Sequence, residues 1–307
     1  MRVQRLISAV GIAILLVLSG ILLSLAGVPI PYLSDRASAY DAIGNRSEFV
    51  SNACVAYAPT GPDRHTTVFI DAGHGGPDPG ASGITLSGTP INEKSLTLAV
   101  ALDLLPLLRH DGYRVAMSRI ADVPVAQLKP GSVSGGGYTV QGEHADIAAR
   151  VDCANASSAQ LLLSIHFNSY SNPSVGGVET LYDSVRPFSS NNLRFATLVQ
   201  QTVLQALAAK AWNVPDRGVL DDSAGGTPAL TAQGAAYGHL LELGPADPGW
   251  FDHPSQMPGA LCEPLFLTDP GEGAVAASTE GQQTLAGAFE TAINRYFQTS
   301  PGRGNAG

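Results

Sequence analysis

The sequence is short of positive charge, of charged residues in general and of cysteine. Lysine and arginine total 17 against 26 acidic residues, so the 307-residue chain carries a net charge of -9. A nucleic-acid groove is not expected, because phosphate binding requires clustered cations. Glycine (34) and proline (21) are frequent but follow no period, which excludes collagen-like order. The apolar content of 44% is enough for a buried core, so a mainly disordered chain is also excluded.

The N-terminus carries a long uncharged run, Leu6 to Val28. At about 1.5 Å per helical residue, this run can cross a hydrocarbon core of about 30 Å. Arg2 and Arg5 precede it, so the positive-inside rule predicts that the rest of the chain is extracytoplasmic. Residues 1–28 are predicted to be a retained transmembrane signal anchor or a cleaved signal peptide, since a small-residue site follows at Ala37 to Ala39. The protein is therefore membrane-anchored or secreted.

Further along, residues 29–65 are predicted to be a linker, 66–298 a catalytic domain and 299–307 a disordered tail. Short β-branched runs alternate with helical patterns in the domain, which predicts a three-layer α/β fold with a mostly parallel, twisted sheet flanked by helices. The predicted strands are Thr67–Asp71, Tyr113–Ser118, Leu161–Ile165, Val178–Tyr182 and His239–Leu243, and the predicted helices are Glu93–His110, Tyr138–Asn155, Leu193–Lys210 and Thr284–Phe297. The Pro- and Gly-rich segment Asp252 to Gly273 is interpreted as an insertion.

Two histidines and one glutamate form a candidate metal site. His74 and His166 each follow a buried-strand pattern, and ligands of open α/β sheets bind at the carboxyl ends of strands. Glu93 opens a helix behind the N-cap Asn92. Two imidazoles and one carboxylate suit Zn²⁺ with an open fourth position. The alternatives are a loop histidine without a role and a glutamate that only interacts with the helix dipole.

Glu242 is the candidate general base. It is an isolated acid in the apolar run Leu240 to Gly244, where a buried carboxylate costs several kcal/mol unless it is paired or used. Such a group can take a proton from water and pass it to a leaving nitrogen. The alternative is a glutamate on the exposed face of an edge strand.

Together these residues lie in four blocks that resemble the zinc-dependent N-acetylmuramoyl-L-alanine amidases of the amidase-3 family. The blocks are Asp71 to Gly76, Asn92 to Lys94, Arg150 to Asn168 and Glu242 to Gly244. The resemblance implies Zn²⁺ held by His74, Glu93 and His166, with Glu242 as catalytic acid/base. The implied reaction is hydrolysis of the amide between N-acetylmuramic acid and L-alanine in peptidoglycan, during wall turnover or cell separation. After Gly244 the sequence departs from the family pattern.

The expected partners are peptidoglycan or its fragments and, if the N-terminal segment is retained, the membrane. The chain is expected to be a monomer that does not bind nucleic acid. Two other functions stay open at this point. One is a zinc peptidase that cuts within the stem peptide, and the other is a non-catalytic wall-binding or regulatory protein with the same fold.

The remaining polar and sulfur-containing residues are predicted to be structural. Cys153 lies in a helical pattern and is predicted to be a buried thiol, which leaves a Cys54–Cys262 disulfide as the least strained pairing. The Asp221-Asp222 pair is predicted to lie in a solvated loop. Five histidines without a second polar feature beside them are predicted to be hydrogen-bonded or solvated: His65, His110, His144, His239 and His253.

Overall fold

The structure, a computed structural model, describes residues 39–40, 43, 48–224 and 232–298. Its strands are β1 (Ala39–Tyr40), β2 (Ala53–Tyr57), β3 (Thr67–Ala72), β4 (Ser82–Ile84), β5 (Pro90–Asn92), β6 (Arg114–Arg119), β7 (Val133–Ser134), β8 (Gly137–Tyr138), β9 (Leu161–Ile165), β10 (Val178–Tyr182), β11 (Asp216–Asp221) and β12 (Gly259–Glu263). Its α-helices are α1 (Glu93–His110), α2 (Val140–Ala156), α3 (Ser189–Ala209), α4 (Ala232–Tyr237), α5 (Pro270–Ala277) and α6 (Thr279–Gln298).

The main sheet has the strand order β1-β2-β6-β3-β9-β12-β10-β11. Four neighbouring strands, β6, β3, β9 and β12, run parallel to one another. Strands β10 and β11 are parallel to each other but antiparallel to β12, and β2 is antiparallel to β6. The sheet is therefore mixed, with a parallel centre, and the α/β class predicted from the alternating pattern is confirmed.

Two apolar cores lie on the two faces of this sheet. On the first face, helices α1, α3 and α6 pack over residues such as Ile70 and Leu163. On the second face, α2 and the segment after α4 pack over residues such as Phe69 and Leu162. Successive strand residues point to opposite faces of a sheet. The neighbours Phe69 and Ile70, and likewise Leu162 and Leu163, are all buried because both faces are covered. The result is a three-layer arrangement in which the predicted helices flank the sheet.

The structure differs from the sequence-based expectations at three places. Strand β2 lies inside the predicted 29–65 linker, where its pairing with β6 brings it into the sheet. Residues 241–244 form turns and a bend, so the predicted strand His239–Leu243 is wrong. The fourth central strand is instead β12, within the segment that was interpreted as an insertion. The flanking prolines and glycines obscured a five-residue apolar strand that is long enough to pair with β9 and β10.

The predicted span Leu6 to Val28 and the tail 299–307 lie outside the described residues. Within the ranges that the structure does describe, no helix combines the length and the apolar character needed to cross a bilayer.

The disulfide joins Cys54 to Cys153, and Cys262 is a buried free thiol. The predicted Cys54–Cys262 pairing is therefore wrong. Cys54 and Cys153 belong to the core on the second face of the sheet, whereas Cys262 points into the core on the first face. The sheet separates the Cys262 thiol from the other two, and this separation depends on strand pairing rather than on sequence spacing.

We expect loss of this cross-link to destabilise the fold, because the link closes a chain segment with a sequence separation of 99 residues. The double variant Cys54→Ala/Cys153→Ala should lower the free energy of unfolding by about 2–5 kcal/mol in urea titrations. Cys262→Ala is the matched control and should keep the cross-link. Peptide mapping without reduction should recover a Cys54–Cys153 peptide from the control, and a peptide that contains Cys262 in a disulfide of the wild type would contradict the assignment.

Candidate functional site

The three predicted metal ligands meet at one edge of the sheet. His74 follows β3 and His166 follows β9, and these strands are parallel neighbours with Ala72 opposite Ile165. Glu93 is the first residue of α1, and the Asn92 side chain caps that helix by accepting a hydrogen bond from the Ser95 amide. The edge therefore collects the carboxyl ends of two strands and the start of one helix.

The donor atoms of these three side chains converge. His166 Nδ1 lies 3.1 Å from His74 Nε2 and 3.0 Å from Glu93 Oε1. His74 Nε2 also lies 3.0 Å from Glu93 Oε2. Two imidazole nitrogens facing each other and a shared carboxylate form a donor set that fits Zn²⁺, whose catalytic sites commonly have three protein ligands. The structure brings together the three residues that the sequence predicted.

The second contacts of these side chains fix their orientation. His74 Nδ1 lies 2.6 Å from Asp78 Oδ2, an arrangement common for metal-bound histidines. Each Glu93 oxygen accepts a backbone hydrogen bond of 2.8 Å, from the amides of Phe167 and Ala81. Burial would raise the pKa of the Glu93 carboxyl, but the charges of His74 and His166 outweigh it and hold that pKa well below its usual range. The two imidazoles therefore favour the ionised form of the Glu93 carboxyl.

Two glycines allow this close packing. A Cβ on Gly73 would lie 2.4 Å from ring atoms of His166, and one on Gly80 would lie 2.6 Å from Glu93 Oε2. Gly80 also has a φ of +64°, which favours glycine. The glycine-rich segment around His74 therefore leaves room for the other two ligands.

A buried arginine on α2 holds the segment around His74 in place. Arg150 on α2 forms ion pairs with Asp71 at 2.8 Å and with Asp146 at 3.0 Å. Its guanidinium also donates to the carbonyl oxygens of Ala72 and His74 at 2.9 and 2.6 Å. Arg150 thus holds the end of β3 and the residue that carries the first imidazole in one position.

Glu242 lies in the turns that cover the second face of the sheet. Its side chain is buried, and a carboxylate oxygen lies within 4.8 Å of donor atoms of Asp71 and His166. Glu242 Oε2 has no hydrogen-bond partner. Burial and the charge of Asp71 raise the pKa of the Glu242 carboxyl to about 7. The residue singled out by the sequence therefore lies near His166, although on a turn rather than on a strand.

A second carboxyl, Glu263, was missed by the sequence analysis. Glu263 is the last residue of β12. The preceding residue, Cys262, lies opposite Ile165, and the Cys262 carbonyl oxygen accepts a 3.0 Å hydrogen bond from the His166 amide. Glu263 and His166 directly follow this pair, and because Cys262 and Ile165 belong to the core on the first face, strand alternation directs both side chains to the second face. Burial, followed by the charge of Glu93, raises the pKa of Glu263 to about 7. The detectable signal was an apolar run that ends in a polar residue, the same pattern that identified His74 and His166.

A cavity of about 100 Å³ adjoins these groups. The residues that line it come from the metal-ligand cluster, from α2 and from the turns after α4: His74, Asp78, Tyr138, Glu143, Asp146, Ile147, Arg150, His166, Leu240, Leu241, Glu242 and Leu261. The cavity therefore connects two of the three candidate ligands, His74 and His166, with Glu242.

Comparison with known proteins identifies the family of the chain. The model of the Amidase_3 family, described as N-acetylmuramoyl-L-alanine amidase, matches residues 68–295. The chain belongs to the Amidase_3 family. It is therefore an N-acetylmuramoyl-L-alanine amidase, and its activity is a cell-wall hydrolase activity.

Individual relatives support this membership. The germination-specific N-acetylmuramoyl-L-alanine amidase of Bacillus subtilis is 27% identical over 230 residues, which cover 75% of this chain and 79% of the relative. A solved N-acetylmuramoyl-L-alanine amidase of Clostridium difficile 630 has a TM-score of 0.52 and 26% identity, covering 76% of this chain and 98% of that one. The CwlD amidase of Clostridioides difficile, solved in complex with the GerS lipoprotein, shares the fold with a TM-score of 0.57 and 22% identity, covering 76% and 100% of the two chains.

Removal of the buried cation should destabilise the amidase. Arg150→Met leaves Asp71 and Asp146 buried without their partner, and we expect the free energy of unfolding to fall by about 3–5 kcal/mol. Lys210→Met is the control, because Lys210 forms an ion pair with Glu280 in which both side chains are exposed, and its loss should cost less than about 1 kcal/mol. Urea titrations of both variants provide the measurement, and equal losses would contradict the supporting role of Arg150.

Proposed function

We propose that this amidase is an extracytoplasmic zinc hydrolase. Its substrate is the amide bond between the lactyl group of N-acetylmuramic acid and L-alanine in peptidoglycan, in wall turnover or cell separation. The observation that supports zinc is the convergence of one carboxylate and two imidazoles at 3.0–3.1 Å. Within this proposal the amidase is a monomer that binds peptidoglycan or its fragments and no nucleic acid. It is secreted, or attached to the membrane through residues 1–28.

His74 Nε2, His166 Nδ1 and the Glu93 carboxylate would hold the Zn²⁺. When bound, the ion supplies a Lewis acid that polarises a carbonyl oxygen and lowers the pKa of water. The surrounding protein contributes orientation, since Asp78 fixes the His74 ring and two backbone amides hold the Glu93 oxygens. The cavity beside the ligands is lined by Tyr138 and Arg150, among others, and can receive part of the substrate.

Amide hydrolysis also needs a group that accepts a proton from water and donates it to the leaving nitrogen. We propose Glu263 for this role, because its place on β12 is directly beside His166 at the edge of the sheet. Glu242, predicted from the sequence, is the second candidate. Its position on the cavity wall supports it, whereas its proximity to the buried Asp71 favours a role in positioning His166.

Glutamine variants separate the two candidates. Glu263→Gln should lower kcat by about 10²–10⁴-fold, as expected for loss of a general base. Glu242→Gln should lower it much less. Mass spectrometry of muropeptide digests measures the rate and also the bond that is cut: glycan without peptide supports the amidase, and shortened stem peptides support a zinc peptidase. If only Glu242→Gln loses activity with its metal content intact, then Glu242 is the base.

Metal analysis tests the proposed ligands independently of the proton-transfer group. His166→Ala should lose about one zinc ion per chain relative to the wild type, because three-ligand sites depend on every ligand. Treatment with a chelator should abolish hydrolysis by the wild type, and Zn²⁺ should restore it. A variant that keeps its metal, or a chelated enzyme that keeps full activity, would contradict the assignment and support a non-zinc mechanism.

A further inference from the structure

A second cluster of donor atoms lies at the opposite edge of the sheet. Asp183 directly follows β10 and Asp222 directly follows β11, and these strands are parallel neighbours with Tyr182 opposite Asp221. Because β10 runs antiparallel to β12, its carboxyl end lies away from the end of β12 that carries Glu263. His239, which comes shortly before Glu242 in the chain, completes the cluster.

The prediction for Asp222 is wrong, whereas His239 is hydrogen-bonded, which is one of the two states predicted for it. Asp222 is fully buried rather than solvated, and Asp183 is fully buried beside it. His239 is largely buried and contacts both carboxylates, whereas the side chains of His65, His110 and His253 are 79–87% exposed, as expected for solvated histidines. His239, which has no polar feature beside it in the sequence, is therefore part of a buried polar cluster with Asp183 and Asp222.

The geometry leaves one donor atom on each residue for a shared ligand. His239 Nδ1 lies 3.0 Å from Asp222 Oδ1 and 3.1 Å from Asp183 Oδ2. The second oxygens are already used: Asp183 Oδ1 accepts from the amides of Val185 and Arg186, and Asp222 Oδ2 accepts from the amide of Leu240. Asp183 Oδ2 is buried and accepts no hydrogen bond. A single proton on Nδ1 can make a well-aligned hydrogen bond to only one of the two carboxylates.

The charge of the cluster also favours a bound cation. Two aspartates and one histidine lie together in a buried position, where unpaired charges cost several kcal/mol each. Within the described ranges, no lysine or arginine nitrogen forms an ion pair with Asp183 or Asp222. The guanidinium of Arg186, the nearest arginine along the chain, is bonded to the carbonyl oxygens of Gly244 and Ser255 instead. A divalent cation would balance the cluster.

We infer that Asp183, Asp222 and His239 form a second divalent-cation site, separate from the catalytic one, that binds Zn²⁺ or a similar first-row transition ion. One imidazole and two carboxylates are ligands that zinc accepts, whereas Ca²⁺ and Mg²⁺ prefer oxygen ligands alone. One potential ligand atom from each of the three residues lies within 4.8 Å of the others, as in the His74–Glu93–His166 cluster.

The site has a structural consequence for the turns that carry Glu242. The ion would join the ends of β10 and β11 to His239, at the start of these turns, where the Leu240 amide already bonds to Asp222. Arg186 holds the other end of the turns through Gly244. Cation binding would therefore fix the segment that forms one wall of the cavity beside the catalytic ligands.

The test measures zinc content in five forms of the full chain, each equilibrated with Zn²⁺ and freed of excess ion. The wild type should hold about two zinc ions per chain, His166→Ala and His239→Ala about one each, and the double variant none. His253→Ala is the matched control, since His253 is exposed and lies 3.8 Å from a single carboxylate, that of Asp152; it should hold as much zinc as the wild type.

The zinc contents of the variants distinguish a failure of the second site from a failure of the proposed catalytic site. If His239→Ala holds as much zinc as the wild type, the second site is wrong. If His239→Ala loses one ion and His166→Ala loses none, the second site stands and the proposed catalytic site is wrong. Equal zinc losses in His253→Ala and His239→Ala would mean surface binding only and would overturn the second site. Zinc-free wild type that gains Ca²⁺ at this site but not Zn²⁺ would overturn the proposed class of ion.

A second measurement covers the case in which His239→Ala fails to fold. Asp222→Asn keeps the size of the side chain but removes one charge, so we expect it to fold in the absence of metal. In the His166→Ala background, Zn²⁺ should raise the Tm, because a ligand that binds only the folded state stabilises it. The same background with Asp222→Asn should show no rise. An equal rise in both would overturn the site.

Discussion

The alignment of β3 with β9 is the constraint on which the rest of the site depends. Parallel pairing with Ala72 opposite Ile165 puts the residues after the two strands side by side, so His74 and His166 can bind the same metal ion. Arg150 maintains this alignment from α2, because it binds Asp71 on β3 and the carbonyl oxygen of His74. A buried ion pair contributes little net stability, but a broken one is costly, and this difference makes the arrangement specific.

The mixed sheet creates two separate edges with different chemistry. At the carboxyl ends of the central parallel strands lie the two imidazoles and Glu263, and the start of α1 adds Glu93. At the other edge, the reversed strands β10 and β11 end in Asp183 and Asp222. The turns from His239 to Gly244 contact both groups, since Glu242 lies near His166 and Asp71 whereas His239 lies between the two aspartates. In our proposals one ion serves hydrolysis and the other holds these turns.

Two carboxyls near His166 have a pKa raised to about 7, and the reasons differ. Glu242 is buried beside the ionised Asp71, so repulsion between two acids adds to the effect of burial. Glu263 is affected by burial and then by Glu93, which belongs to the ligand cluster. Because a shifted pKa accompanies structural networks as well as catalysis, our proposal for Glu263 rests on its position and not on its pKa. Only Glu263 extends from a strand that pairs with the strand before His166.

Local patterns in the sequence were sufficient for the α/β class, for the ends of β3 and β9, for the start of α1 and for the three side chains that converge as candidate ligands. Each of these depends on a short apolar run or on a cap, which are properties of neighbouring residues. The disulfide, β2, β12 with Glu263, and the Asp183–Asp222–His239 cluster depend instead on which strands pair and which face each residue takes. Strand pairing joins residues far apart in the chain, such as Ile165 and Cys262, so only the tertiary structure could decide them.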